Sequence, residues 1–324
     1  MSHAYDKLSP ELILDAVESI GLIPSGHSFA LNSYENRVYQ IGIEDAPNVI
    51  AKFYRPERWS NSSIQEEHDF SLALAENEVP VIAPWQNQSN QTLFEFEDFR
   101  FAIFPQRGGR TPNLENLDDL EWIGRFIGRI HLQGSAKGFE YRPAITPDTF
   151  GHNAQQRVLD SAYLPIELKS DYASVTEQLL LDIEQAFSGF DYRAIRLHGD
   201  CHPGNILWTD NGPHFVDMDD CRSGPAVQDL WMLLSGSRRE MTEQLGALLA
   251  GYETFCEFDC QETALIEPLR ALRLIHYTAW LCDRWNDPAF PLAFPWFEDR
   301  HYWESHINDL RQQILLIQEP PLAC

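Results

Sequence analysis

The chain has 324 residues, enough for about two domains at roughly 100 to 200 residues each. Its 24 basic and 49 acidic residues give a formal charge of −25, which repels phosphate backbones and anionic membranes. We therefore expect neither nucleic acid nor a membrane as a partner. An anionic nucleotide could bind such a chain only through local cations or a metal ion.

Compartment and cysteine chemistry can also be predicted from composition. No apolar run approaches the length of about 20 residues that spans a bilayer, and the segment MSHAYDKLSP has no basic stretch before an apolar one. We expect a cytoplasmic monomer whose six scattered cysteines are reduced thiols. The terminal segment EPPLAC is expected to fray.

The first third of the chain alternates between helical and strand-like segments. Ser9 and Pro10 predict the start of a helix that ends at Gly21. The segments RVYQIGI and VIAKFY predict a hairpin, and SIQEEHDFSLALAEN predicts a helix. Three further segments are predicted as strands: VPVIAP, TLFEF and FRFAIFP.

The remainder is mostly helical, beginning with LDDLEWIGRFIGRIH, apart from a dense loop-and-strand region at 198–224. The composition shifts near the pair Gly108-Gly109. We predict an α+β protein with an N-lobe at 1–105 and a C-lobe at 106–324.

The dense region can supply what phosphoryl transfer to a hydroxyl needs, namely an aligning carboxylate and hard oxygen ligands for magnesium. Asp200 follows His198 by two residues and precedes Asn205 by five, the Asp-to-Asn spacing of a kinase catalytic loop. The short strands ILW and HFV, around the turn TDNGP, place Asp217 where it can face Asn205. These residues predict a metal-assisted phosphotransferase.

Lys52 is the candidate cation for the nucleotide phosphates. In VIAKFY the side chains alternate, so Val49, Ala51 and Phe53 face one way while Lys52 faces the other. Apolar neighbours on a strand favour a directed role over that of a surface lysine.

The order HGDxxxxN followed by a later [IV]D resembles the aminoglycoside phosphotransferase and choline kinase family, which has the protein-kinase-like fold. VIAKFY resembles the strand of the ATP-phosphate lysine, FAIFP the strand before the hinge, and IGRFIGRIH the helix after it. The resemblance implies that Asp200 and Asp217 are catalytic, with Asp200 as the base or aligner. It also implies that Asn205 and Asp217 bind Mg²⁺.

On the nucleotide side the resemblance implies six residues: Ser33, Asn36, Lys52, Glu67, Phe104 and Gln106. Lys52 would contact the α and β phosphates of ATP and be held by Glu67, although Glu66 competes for that role. Ser33 and Asn36 would lie in the loop over the nucleotide, which lacks the usual GxGxxG. Backbone groups from Phe104 to Gln106 would meet the adenine.

Several residues close to these candidates in the sequence are interpreted in structural terms as well. His198 is expected to hold the loop by hydrogen bonding, and Asp229 to cap a helix or brace the loop. Asp219 and Asp220 are interpreted as a solvated acidic turn. Oxidation of Cys201, beside the base, is a further hypothesis.

Three functions remain open. The resemblance implies an ATP-dependent serine/threonine protein kinase of bacterial stress physiology. The alternative is a kinase for a small alcohol, such as an amino alcohol or a sugar, since the same residues serve both acceptors. The third is a nucleotide-binding regulator without catalysis, which the presence of all four chemical residues disfavours.

Overall fold

The structure, a computed structural model, describes residues 4–324, so the first three residues of MSHAYDKLSP lie outside it. Within the described part, none of the helices is both long and apolar enough to cross a membrane. The chain divides into two compact units. The first comprises residues up to Pro112, Phe139–Arg142 and His202–Cys221, and the second Asn113–Gly138, Pro143–Cys201 and Arg222–Cys324. The lobe boundary at residue 105 stays a prediction.

The first unit contains a five-stranded antiparallel sheet in the order β1-β2-β3-β5-β4. Its strands are β1 (Pro24–Ala30), β2 (Arg37–Ile43), β3 (Ala46–Phe53), β4 (Phe94–Phe96) and β5 (Phe99–Pro105). Two helices accompany it, α1 (Pro10–Ser19) and α2 (Asn61–Glu76).

Helix α1 forms where the sequence predicts it. The hydroxyl of Ser9 accepts a hydrogen bond from the amide of Leu12 and so satisfies a donor at the helix start. Ile13 and Val17 are buried against a sheet face that carries Ala51 and Phe53. Because side chains alternate along β3, this packing commits Lys52 to the other face.

A second hairpin, β7 (Ile206–Thr209) with β8 (Gly212–Phe215), also belongs to the first unit and confirms the predicted pair of strands. The strand predicted for VPVIAP is wrong. Only an isolated bridge between Val81 and Phe215 forms there, because Pro80 and Pro84 have no amide hydrogen to donate to a ladder.

The second unit is mainly helical and has one small two-stranded sheet, β6 (Ile195–Leu197) with β9 (Arg222–Gly224). Its helices are α3 (Leu117–Gly134), α4 (Asn153–Asp160), α5 (Lys169–Ser188), α6 (Gln228–Trp231), α7 (Arg238–Tyr252), α8 (Ile266–Arg284), α9 (Ala289–Ala293) and α10 (Arg300–Ile317). A π-helical turn covers Pro147–His152. Together with the sheet of the first unit, these elements confirm the α+β class.

Helices α3 and α7 pack closely enough to require glycine. A methyl group at Gly124 would collide with the carbonyl of Leu248. The close packing brings His131 of α3 to Tyr252 of α7, with Nδ1 3.0 Å from the hydroxyl. This contact fixes the ring of His131, whose other nitrogen, Nε2, lies 3.0 Å from Oδ2 of Asp229.

The C-terminal tail is attached to the second unit, so the expectation that it frays is wrong. A disulfide joins Cys260 to Cys324, which corrects the prediction that all six cysteines are reduced. Leu322 is buried, and the guanidinium of Arg238 donates to the carbonyls of Pro320 and Pro321. The other four cysteines are free thiols.

Candidate active site

Lys52 is buried and directed as its strand position predicts. Its Nζ lies 2.7 Å from Oδ1 of Asp217 and 4.0 Å from Oδ1 of Asp219. Burial disfavours the charge of Lys52, but the carboxylates of Asp217 and Asp219 outweigh it and raise the pKa above its ordinary value. The lysine is therefore a fixed cation.

The β7–β8 hairpin brings the two predicted metal ligands together. The amide of Val216 donates to the carbonyl of Asn205 over 3.0 Å, so Asp217 follows directly after the residue paired with Asn205. Asp217 adopts the left-handed conformation, with φ 60° and ψ 61°, and its side chain is 52% exposed. A carboxylate and an amide oxygen are hard donors that suit Mg²⁺. The residues present thus fit the predicted ion.

Glu67 and Lys52 have different ion-pair partners among the described residues. Oε2 of Glu67 accepts from Nη2 of Arg142 over 2.9 Å, and both side chains are buried. Burial raises the pKa of Glu67, against the pull of Lys52 and Arg142. Glu67 contributes in turn to the raised pKa of Lys52. That Glu67 holds Lys52 therefore stays a prediction. The charge of Glu67 acts on Lys52, but its ion-pair partner is Arg142.

Glu66, the competitor, serves the backbone instead. Its carboxylate accepts hydrogen bonds from the amides of Glu140, Tyr141 and Arg142 at 2.6, 2.8 and 3.0 Å. These contacts tie the segment Phe139–Arg142 to α2 and thereby place Arg142.

Arg142 connects α2 to the turn after Asp217. Besides Glu67, its guanidinium donates to the carbonyls of Asp219 and Cys221 at 2.8 and 3.0 Å. Its Nε donates to the carbonyl of Ser63 over 2.8 Å. A buried arginine that donates to all these acceptors fixes the backbone that follows Asp217.

Asp219 and Asp220 do not form the solvated acidic turn that the sequence predicts. Asp219 is buried, with 5% of its side chain exposed, and pairs with Nη1 of Arg58. Asp220 accepts from Nη2 of the same guanidinium over 2.8 Å. Two adjacent carboxylates are held by one arginine because the planar guanidinium presents paired donors.

The loop between β1 and β2 is held by arginines from the segment after β3. Oδ1 of Asn36 accepts the amide of Arg55 over 3.0 Å, and Asn36 is buried. Arg55 also pairs with Glu35 over 3.0 Å. Ser33 lies half-buried in this loop. The predicted nucleotide contacts of Ser33 and Asn36 stay predictions, and the oxygen of Asn36 already has a structural role.

The residues predicted near the adenine lie on β5 and just beyond it. Phe104 pairs in register with Ile50, and its ring centroid lies 5.6 Å from Nζ of Lys52. Nε2 of Gln106 donates to Oε1 of Gln40 over 2.9 Å. Phe104 therefore lies on the same sheet face as Lys52.

In the second unit, Asp229 braces the loop that carries Asp200, as expected. Its carboxylate accepts the amides of His198 and Gly199 at 2.7 and 2.8 Å and lies 3.0 Å from Nε2 of His131. Gly199 has φ 84°, a conformation that favours glycine. The loop before Asp200 is thus fixed by backbone hydrogen bonds to one buried acid.

Asp200 itself is partly accessible, with 23% of its side chain exposed. Nη1 of Arg273, on α8, lies 2.6 Å from its Oδ1. Cys201, the next residue, is completely buried, and burial raises the pKa of its thiol well above the ordinary value. Burial and the suppressed thiolate both disfavour oxidation of Cys201.

Three arginines of these sites escaped sequence reasoning: Arg58, Arg142 and Arg273. Arg58 stands in the loop segment YRPERW, and Arg273 is one of several arginines on a helix. Neither position has a motif around it. The available signal in the sequence was the pair Asp219-Asp220 close to Asp217, since crowded carboxylates need cationic partners.

The phosphotransferase enzyme family matches residues 28–266 of this chain. The serine/threonine protein kinase RdoA of Salmonella typhimurium is 45% identical over 318 residues, which cover 98% of this chain and 96% of that protein. Stress response kinase A of Escherichia coli K12 matches with the same identity and coverage. Segments such as LRLHGDCHPGNILW and GPAVQDLWMLL resemble stress response kinase A, and these relatives confirm that resemblance.

Among solved structures, an amicoumacin kinase in complex with AMP-PNP, Ca²⁺ and Ami superposes with a TM-score of 0.75. It is 18% identical in sequence, and the match covers 99% of this chain and 96% of that one. At this identity the likeness shows the fold, which confirms the predicted kinase-like fold.

Proposed function

This chain belongs to the phosphotransferase enzyme family, and from that premise we propose that it is a magnesium-dependent serine/threonine protein kinase of the bacterial stress response. It is a kinase of ATP-binding type. The proposal concerns its acceptor, its metal ion, its physiological role and its cytoplasmic location.

The observation that carries the proposal is the contact between Lys52 and Asp217 beside Asn205. A fixed cation and two hard oxygen donors lie together in one compact unit, as the binding of ATP phosphates with a divalent ion requires. Asn205 and Asp217 would hold Mg²⁺, which, when bound, neutralises charge that develops on the phosphates.

The remaining steps fall to side chains. Lys52 binds phosphate oxygens of ATP, and its raised pKa keeps it charged across the physiological range. Asp200 orients the acceptor hydroxyl and receives its proton as the oxygen attacks the γ-phosphorus and the bond to ADP breaks. His131 and Asp229 take no proton from the substrate and hold the loop of Asp200 in place.

The protein acceptor is supported by the name serine/threonine protein kinase carried by the relative RdoA, and the stress role by the name of stress response kinase A. A small-molecule acceptor is the second candidate. The amicoumacin kinase, whose structure contains AMP-PNP, Ca²⁺ and Ami, favours it through the shared fold.

The test uses purified protein with ATP labelled in the γ-phosphate. In parallel reactions, a protein lysate and a metabolite pool are offered as acceptors, and mass spectrometry of the kinase itself detects phosphorylated serine or threonine. We expect label on protein hydroxyls. Label confined to metabolites would favour the second candidate.

A variant completes the test. Asp200→Ala should reduce transfer at least about a hundredfold because the aligning base is removed. Circular dichroism and the melting temperature should match those of the wild type, since Asp200 is partly exposed. A folded Asp200→Ala protein with wild-type turnover would overturn the assignment of the base.

A further inference from the structure

Arg273 places a positive charge directly on the proposed catalytic base. Its Nη1 is 2.6 Å from Oδ1 of Asp200, and its side chain is 41% exposed. A guanidinium has several N–H donors in one plane, so a single bond to Asp200 leaves donors for another group. A carboxylate likewise retains lone pairs for a hydroxyl while it accepts from an arginine.

The surroundings add a second cation within the same unit. Leu197, three residues before Asp200, pairs in register with Arg222 of β9. The guanidinium of Arg222 lies over the ring of Phe150, 5.0 Å from its centroid. Arg222 is buried, whereas Arg273 is 41% exposed, so Arg273 is the more accessible of these two cations.

An aromatic stack links these two cations. The ring of Phe150 stacks on His276 with centroids 4.0 Å apart. His276 stands one turn after Arg273 on α8, so the two side chains share a face of the helix. The stack of His276, Phe150 and Arg222 therefore lies on the face of α8 that carries Arg273.

We propose that Arg273 selects acceptors that carry a carboxylate or a phosphate beside the hydroxyl to be phosphorylated. This inference rests on the proposed kinase function and adds the charge class of the substrate. An arginine binds such a group through paired N–H donors. An acceptor with an ammonium group at that place meets a like charge and is rejected.

The exchange of partners costs little. The pair between Arg273 and Asp200 is partly solvated, and such pairs contribute little to stability. Arg273 can therefore turn from Asp200 to the incoming anion while the hydroxyl takes the vacated oxygen. The negative charge of the whole chain does not decide the matter, because exposed charges beyond about 10 Å are screened at physiological salt.

The experiment measures kcat/KM with two matched sets of acceptors. Peptides carry one serine flanked on both sides by Asp, Asn or Lys, and three-carbon alcohols are glycerate, glycerol and 3-amino-1,2-propanediol. The two sets separate an acidic protein site from a small hydroxy acid. In whichever set accepts phosphate, the wild type should prefer the anionic member over the neutral and the cationic ones.

Substitution of the arginine tests its part. Arg273→Gln should lower the ratio of anionic to neutral kcat/KM about tenfold, chiefly through KM, and Arg273→Glu should reverse the preference. Arg273→Lys should restore part of it. Arg270→Gln is the matched control, since Arg270 lies on the same helix and pairs with Glu267.

Three results would overturn the inference: a wild type that favours neutral or cationic acceptors, an unchanged ratio in Arg273→Gln, or an equal loss of kcat for every acceptor. An equal loss of kcat would indicate that Arg273 only holds Asp200 in position. Failure of the proposed protein-kinase function looks different, because phosphate would then reach the three-carbon alcohols and none of the peptides, with or without Arg273.

Discussion

Asp217 in the first unit and Asp229 in the second are both carboxylates of the proposed active site, but they have different kinds of partner. Asp217 is half-exposed and contacts the ammonium group of Lys52. Asp229 is buried and accepts two backbone amides and lies within hydrogen-bond distance of a histidine ring. One is held by charge, and the other by the backbone.

The difference follows from what each region must do. The proposed nucleotide side would have to receive phosphates and a metal ion, and its groups are charged and partly open, with Arg58 paired to Asp219 and Arg142 paired to Glu67. The loop of Asp200 has to keep one shape, and amide donors to a buried acid are directional and resist screening by salt. We infer that substitution of Asp217 affects mainly catalysis, whereas substitution of Asp229 affects mainly folding.

The largest effect is expected from Asp217→Ala, which removes both a proposed metal ligand and the partner of Lys52. Transfer should fall at least about a thousandfold, a loss of about 4 kcal/mol of transition-state stabilisation. The melting temperature should change little, since the side chain is half-exposed. Asp210→Ala, at the exposed turn of the same hairpin, is the control and should retain activity. A folded Asp217→Ala protein with normal turnover would contradict the metal site.

Asp229→Ala should act mainly on stability. It leaves the amides of His198 and Gly199 buried without an acceptor, so the free energy of unfolding should fall by about 2 to 5 kcal/mol. Asp229→Asn keeps one oxygen and should cost less. Urea unfolding at neutral pH measures both, and a loss below about 0.5 kcal/mol for the alanine variant would refute the brace.

Glu67→Gln separates two roles of this acid. Since glutamine can still accept from Arg142, stability should fall by only about 1 to 3 kcal/mol. If Glu67 also orients Lys52, the KM for ATP should rise about three- to tenfold while the KM for the acceptor stays constant. Glu76→Gln, exposed at the end of the same helix, is the control. An unchanged KM for ATP would limit Glu67 to its structural pair.

The smallest effect is a pH dependence of the brace. Burial alone would raise the pKa of Asp229, but hydrogen bonds from His131 and Gly199 lower it below its ordinary value of 3.8. The stabilisation is therefore complete above pH 3.8 and is lost as the pH falls through the lower, folded-state pKa. The stability difference between wild type and Asp229→Asn should shrink in that acidic range. A difference that is constant down to pH 2 would contradict this sign.

Local patterns predicted much of this molecule. The cap at Ser9, the alternation around Lys52 and the spacing of Asp200 and Asn205 each lie within a few residues, so they can be recognised in the sequence. The strand predicted for VPVIAP does not form, because its two prolines lack the amide hydrogens that a ladder needs.

Long-range pairs could not be predicted in this way. Arg58 lies 161 residues from Asp219, Arg142 lies 75 from Glu67, and Arg273 lies 73 from Asp200. Cys260 and Cys324 are separated by 64 residues. Such contacts depend on how distant elements pack, and no periodicity or motif in one segment specifies its partner in another.

The backbone of Asp217 has a consequence for the engineering of this protein. At φ 60° a residue with a Cβ is strained, whereas glycine adopts this conformation freely. Asp217→Gly should therefore be more stable than Asp217→Ala by about 1 kcal/mol, and equally inactive. A screen for thermostability alone would favour glycine at a position on which turnover is proposed to depend, so stabilised variants of this chain should be selected with an activity assay beside the melting curve.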